Sequence, residues 1–487
     1  MRKWWPLTAV GLGAFMLLID VTIVNVALPE MADDLDASFT ELQWVVDVYA
    51  LALAALLLGT GTIADRFGHR TVYLAGLVVF ALASLGCALA PGAELLIAGR
   101  AVQGAGAAAM FATTIALLST VYRGRDRAVA FGVWGAVNGA AAAAGPIIGG
   151  LLTEHFGWPW VFAVNVPVAV IAVVITRRTI AKDGGRTSGR LDLPGMATFT
   201  VSAGALTFGL IRSAEADWSD PTVFGPLVLA AVSLVLFLAI ERRSAEPMLD
   251  LGLFRHRAFV GFIGGGALIS AAAWAVFPYA SIWMQTVLGL GPVHTGLVIL
   301  PMSVVSFVVP LVMGRFGQRV PPRWSVSLGL LSIAVGGLMQ ARVGAGATET
   351  VLVPGMLFVG LGAGLALPPL ASATMSVVPH ERAGMAGGAL STSRQLGLAI
   401  GVAVLGTVFT SRVPHGAEAG DGDAVAEALR ACYLVAGALG LAGAVLVWAL
   451  VRTPSGGPAP SAAAAPSAAP ATASAGSQAS GGHIAAS

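Results

Sequence analysis

Long, nearly continuous apolar runs alternate with short polar connections along this 487-residue chain. Fourteen windows stand out, at about 7–29, 44–64, 71–90, 95–119, 128–152, 159–177, 191–212, 222–241, 258–285, 293–314, 324–343, 351–376, 388–411 and 430–451. At roughly 1.5 Å rise per residue, each reaches as a helix across most or all of the ~30 Å hydrocarbon core of a bilayer. The runs are not alternating, which argues against a closed β-barrel. The expected fold is therefore all-α and integral to the membrane. It has an N-terminal six-helix lobe (1–190), two inserted helices (191–250) and a C-terminal six-helix lobe (251–452). The tail at 453–487 is Ala, Pro, Ser and Gly, cannot bury a core, and is expected to be disordered.

Composition agrees. The chain is 56% hydrophobic and 11% charged, against about 25% charged for a soluble domain. Its mean hydropathy is +0.83. Basic residues cluster in alternate connections: Arg66 and Arg70; Arg123, Arg125 and Arg127; Arg177 to Arg190; Arg242 to Arg257; Arg315 to Arg323; Arg382 and Arg394. The other connections hold only Arg212, Arg342, Arg412 and Arg430, and are rich in acids such as Asp33, Asp34, Asp217 and Asp220. That bias predicts a multi-pass protein of the cytoplasmic membrane with both termini cytoplasmic. The first window contains Asp20 and is too long for a secretory h-region, so it reads as a retained helix. Cys87 and Cys432 lie in apolar windows and read as packing residues rather than a disulfide. The histidines show no metal spacing, and no phosphate-cradling glycine loop occurs. No metal, cofactor, nucleic acid or catalytic constellation is expected, and the chain is not read as an enzyme.

The informative residues are the polar ones inside the windows. Asp20 is an acid within the first span, where a carboxylate must face a cavity or a partner. Asn25 lies five residues on, about 140° round the helix, so Asp20 is assigned to the lumen and Asn25 to an inter-helix hydrogen bond. In the fourth span Arg100, Gln103, Gly104 and Ala107 share one face at i, i+3, i+4, i+7. Arg100 cannot usefully lose its proton but can tune a nearby carboxylate by charge. The fifth span is lined by small residues from Gly132 to Gly150, and includes Gly145, Pro146, Gly149 and Gly150. Such a stripe allows close approach of a neighbour, and proline loosens the backbone ladder. The short loop after the second span carries Asp65, Arg66, Gly68 and Arg70. It can pin two helices in one conformation, with Asp65 facing the positive end of a neighbouring helix. Gly314 to Arg319 is a degenerate echo of this loop in the second lobe, as internal duplication would leave. Tyr49, Trp134, Trp274 and Phe277 are candidate aromatic faces of a central cavity.

These strings resemble the major facilitator superfamily, and within it the fourteen-span drug:proton antiporter branch. Gly61-x-x-x-Asp65-Arg66-x-Gly68-x-Arg70 is similar to the superfamily's loop signature. Arg100-x-x-Gln103-Gly104-x-Gly106 is similar to its helix-4 motif, and Gly145-Pro146-Ile147-Ile148-Gly149-Gly150 to the helix-5 antiporter motif. Leu18 to Pro29 resembles the helix-1 string of the branch, and Trp158-x-Trp160-x-Phe162-x-x-Asn165-x-Pro167 its helix-6 string. The chain departs at Ala141, where the motif often has glycine, and at Pro159, where a basic residue is usual. The resemblance implies that Asp20 carries the proton or contacts a cationic substrate, that Arg100 assists proton transfer, and that Asp65 gates. It implies export of small organic compounds (drugs, antibiotics, dyes) in exchange for protons, by a monomer whose partners are the substrate, protons and membrane lipid. An uptake symporter of the same fold and a non-transporting membrane receptor are the alternatives.

Overall fold

The computed structural model describes residues 2–182, 191–213, 216–244, 247–316, 320–344, 346–379, 382–413 and 422–451. The tail at 453–487, the segment 183–190 and residues 317–319 of the second loop lie outside the described residues. Helices fall on all fourteen apolar windows, and no strand occurs among the described residues. They are α1 Trp5–Leu35, α2 Phe39–Phe67, α3 His69–Ala88, α4 Ala93–Val121, α5 Gly124–Phe156, α6 Pro159–Ala163, α7 Asn165–Thr179, α8 Leu193–Arg212, α9 Pro221–Glu241, α10 Arg257–Ala273, α11 Phe277–Ile282, α12 Pro292–Phe316, α13 Pro322–Gln340, α14 Val353–Ser376, α15 Ala383–Thr410 and α16 Gly422–Leu450. Among the described residues, 12 helical stretches are long and apolar enough to cross a membrane.

Local chemistry sets several boundaries. Ser38 begins α2 with a reciprocal cap: its hydroxyl accepts from the Glu41 amide, and the Glu41 carboxylate accepts from the Ser38 amide at 2.8 Å. Gly68 separates α2 from α3 at φ 93°, a backbone conformation that a side chain disfavours. Two expected single helices are broken instead. The 159–177 window divides at Val164, and the 258–285 window divides at Trp274–Val276. Proline supplies the reason: Pro167 and Pro278 have no amide for the carbonyls of Ala163 and Trp274, four residues back. A second correction concerns Arg394. It belongs to no connection but lies within α15.

Residues 1–452 form one compact unit. Within it α1 packs on α5 and α7, and α4 packs on α2 and α3. Among the later helices α10 packs on α15 and α16, and α13 on α14 and α16. The first group meets the second along α2–α15 on one flank and α5–α12 on the other. Helix α8 packs against both α2 and α15.

Candidate functional site

Asp20 is fully buried and hydrogen-bonded from two other helices. Arg100 Nη1 donates to its Oδ2 at 2.6 Å. Gln103 Nε2 and Asn165 Nδ2 donate to its Oδ1 at 2.8 and 2.9 Å. Arg100 and Gln103 are three residues apart, so one face of α4 supplies both. The guanidinium is held in turn: its Nε donates to the Val45 carbonyl at 2.9 Å, and its Nη1 also reaches Gln103 Oε1 at 2.7 Å. The Tyr49 ring lies 4.3 Å from its Cζ. Gln103 Nε2 also reaches Ser84 Oγ at 2.9 Å. Residues from α1, α2, α3, α4 and α7 thus converge on one ion pair. Burying two charges is costly, and only such saturation of hydrogen bonds makes it tolerable. The chemical asymmetry is plain. The carboxylate can accept a proton and the guanidinium cannot release one. Protonating Asp20 would leave Arg100 buried without its counter-charge, which is costly.

Ser84 was not singled out from the sequence, and Asn165 stood there only within the helix-6 string, with no role assigned to it. Asn25 corrects an expectation. It is exposed and donates back to Val21 O of its own helix at 3.3 Å, rather than to a neighbour.

The loop motif builds a contact between the two helix groups. Asp65 accepts from the amides of Gly384 at 2.6 Å and Met385 at 2.7 Å, in the first turn of α15. Those amides have no partner within their own helix, and the dipole favours an anion there. His69 Nε2 lies 3.1 Å from the same carboxylate. The approach needs Gly61, where a Cβ would sit 3.2 Å from the Gly384 carbonyl carbon. Arg70 donates to the Arg177 carbonyl at 2.9 Å, tying the loop to the end of α7. Arg66 stacks over Phe67 at 5.6 Å and makes no described contact across the groups.

Helix α5 uses its small residues on two sides. A Cβ on Gly145 would collide with the Thr22 hydroxyl and lie 2.7 Å from Thr22 Cβ, two residues from Asp20. One on Gly149 would lie 2.9 Å from Ile23 Cγ1. Gly150 has open space beside it. Gly135 and Gly139 instead face Pro310 and the Phe307 backbone of α12. The side chain of Pro146 lies outside the described residues.

A cavity of about 710 Å³ is lined by the ends of α1 and α2 (Leu28, Leu42, Gln43, Val46, Asp47), by α8, by Tyr279 and by α15 from Gln395 to Gly406. It lies at the Phe39 end of α2 and the Thr410 end of α15, away from the Asp65 contact. Tyr49, Trp134, Trp274 and Phe277 are not in this wall. Tyr49 stacks on Arg100, Trp134 packs edge-on to Phe131 with centroids 6.3 Å apart, and the other two pack against the core. Asp20 is not in the wall either. The expectation that it faces the lumen is therefore replaced by a more specific arrangement. Two turns of α2 present Gln43, Val46 and Asp47 to the cavity, and the Val45 carbonyl and Tyr49 ring to Arg100. A single helix thickness separates the cavity from the ion pair.

Comparison with known proteins places this architecture. The model of the Major Facilitator Superfamily matches residues 10–402. The chain is 38% identical over 410 residues to the multidrug resistance protein Stp of Mycobacterium tuberculosis, covering 83% of this chain and 75% of that one. It is 37% identical over 418 residues to the puromycin resistance protein pur8 of Streptomyces alboniger (84% and 82% covered). It is 33% identical over 451 residues to a methylenomycin A resistance protein of Streptomyces coelicolor (92% of both). The human organic anion transporter MFSD10 shares the fold, with a TM-score of 0.66 at 15% identity over 91% of this chain and 99% of that one. With its helical pathway, its intramembrane ion pair and these relatives, the chain belongs to the major facilitator superfamily of membrane transporters.

Proposed function

We propose that this protein is a fourteen-span, proton-coupled antiporter that exports small organic compounds of the drug or antibiotic kind across the cytoplasmic membrane. In this reading α5 and α13 complete the set of spans, α8 and α9 are the inserted pair, and both termini are cytoplasmic. The six spans before α8 and the six after α9 form two lobes that rock about the cavity, and the monomer works without a cofactor. The observation that carries the reading is Asp20, a protonatable group locked to Arg100 one helix thickness from an apolar cavity. The resistance proteins among the relatives support export as the direction.

The geometry refines the coupling. A compound in the cavity touches α2 through Val46 and Asp47, while the proton binds Asp20 behind it. The two compete through the position of α2 rather than for one carboxylate. Loss of a proton from Asp20 restores the ion pair and the packing seen here. The Asp65 contact closes the cytoplasmic side, so this conformation faces outward. The test uses inverted vesicles with an acidic interior. Addition of a transported dye or antibiotic collapses the gradient with the wild type and leaves it intact with Asp20→Asn. Substrate accumulation with no gradient response in either protein overturns the antiport reading.

A further inference from the structure

The inserted hairpin has a job that its lipid-side position does not suggest. Helix α8 divides its surface three ways. One face packs on α2: Phe208 stacks on Trp44 with centroids 5.6 Å apart, and Met196 covers Gly59. A second face packs on α9: Ser202 Oγ donates to the Ala230 carbonyl at 2.9 Å, and Gly209 lies under Leu227. The third face, Thr207, Leu210 and Ile211, follows the i, i+3, i+4 spacing of a single helical stripe and lines the cavity. Just beyond the helix, Trp218 Nε1 donates to Thr407 Oγ1 of α15 at 3.2 Å. So α8 spans the seam between α2 and α15, the flank on which the two helix groups part. Helix α9 is its outer support and turns to lipid; Val235 there is 67% exposed. On the opposite flank α5 packs on α12, and α14, a helix of the second group, packs against both.

We propose that α8 is a specificity-determining wall of the transport cavity: Leu210, Ile211 and Thr207 touch the transported compound, and α8 seals the seam against lipid. This rests on the export reading, since it names the contacts within that cavity. Shape selection by apolar side chains is the expected effect. Truncating Ile211 to Ala should alter discrimination between a small and a large dye by about tenfold, the usual worth of a few methylenes in an apolar pocket.

The test uses the full chain in lipid nanodiscs, with a charged, water-borne thiol reagent and ethidium as the probe compound. Both native cysteines are fully buried, so labelling reports the introduced thiol. Leu210→Cys and Ile211→Cys should label and be protected by ethidium, as should Ala50→Cys on the α2 side of the cavity. Val235→Cys should stay unlabelled. Protection at Ala50→Cys without protection at the α8 positions would overturn the proposal, as would unreactive α8 thiols or protection at none of the sites. Protection at the α8 positions in a protein that shows no proton exchange in vesicles would uphold the wall and defeat the antiport reading instead. Ile211→Ala and Ile211→Trp supply the second readout. Opposite shifts in the rate ratio of two dyes, at equal protein abundance, support the wall; equal scaling of both dyes contradicts it.

Discussion

Asp20 and Asp65 sit on adjacent helices of one helix group, and they are held in opposite ways. Asp20 is paired with side chains, entirely within its own group, and fully buried. Asp65 is paired with backbone amides of the other group, at the edge of the bundle. The first kind of contact specifies how five helices are arranged whatever the two groups do relative to each other. The second exists only while α2 and α15 are together. A carboxylate against helix amides is suited to breaking, because the amides it leaves can be satisfied by water. A carboxylate against a buried guanidinium is not, because neither partner has anywhere to go. In the proposed reading, one acid serves chemistry and the other conformation.

Four substitutions, with their companions and controls, test that contrast in falling order of effect. Asp20→Asn should be the most damaging, costing about 3–5 kcal/mol by leaving Arg100 uncompensated, with proton exchange lost. Thermal unfolding in detergent measures the first and vesicle acidification the second. Adding Arg100→Gln should recover much of the stability and none of the exchange. Recovery of both would return the pair to a purely structural role. Asn165→Ala removes one hydrogen bond to the charged group and should cost about 1.5–3 kcal/mol. Its exchange should fall along with stability, unlike a substitution at the exposed Asn25, which should change neither.

Gly145→Val drives a side chain into Thr22 beside Asp20, an overpacking worth about 1–3 kcal/mol. Gly150→Val, at a position with open space, is its control and should be near neutral in the same melting assay. Asp65→Asn should have the smallest effect on stability, about 0.5–2 kcal/mol for a weakened cap. Its signature is a shift of conformers: spin-label distances between the Gly61 and Gly384 ends of α2 and α15 should lengthen in a larger fraction of molecules. Unchanged distances with lost stability would mean that Asp65 is a brace and not a latch.

Much of the site was readable from the sequence because it depends on local cost. An acid and an arginine inside apolar windows are conspicuous, and the three-residue spacing of Arg100 and Gln103 already puts both on one face. Asp65 was legible as a group suited to a helix end, but its partner lies 319 residues away. No local pattern indicates which of many helix N-termini it meets. Asn165 was part of a readable string, but its contact with Asp20 depends on the rotation of α7 after the break at Val164. The aromatic candidates failed to reach the cavity wall for the same reason. Apolar all-round helices carry little periodic signal to say which side faces inward. Tyr49 turned to Arg100 and Trp134 to Phe131, while α8 supplied a face of the wall.

The sequence by itself determined that this chain crosses a membrane many times, where its apolar helices fall, and which few polar residues demand a partner. Those follow from the cost of placing each residue in hydrocarbon, which is local and nearly additive. The tertiary structure alone decided what each one met: Asp20 with Arg100 rather than with the lumen, Asp65 with α15, and α8 with the cavity. Those choices rest on helix rotation and close packing between segments hundreds of residues apart, where a turn of one residue moves a side chain to a different face.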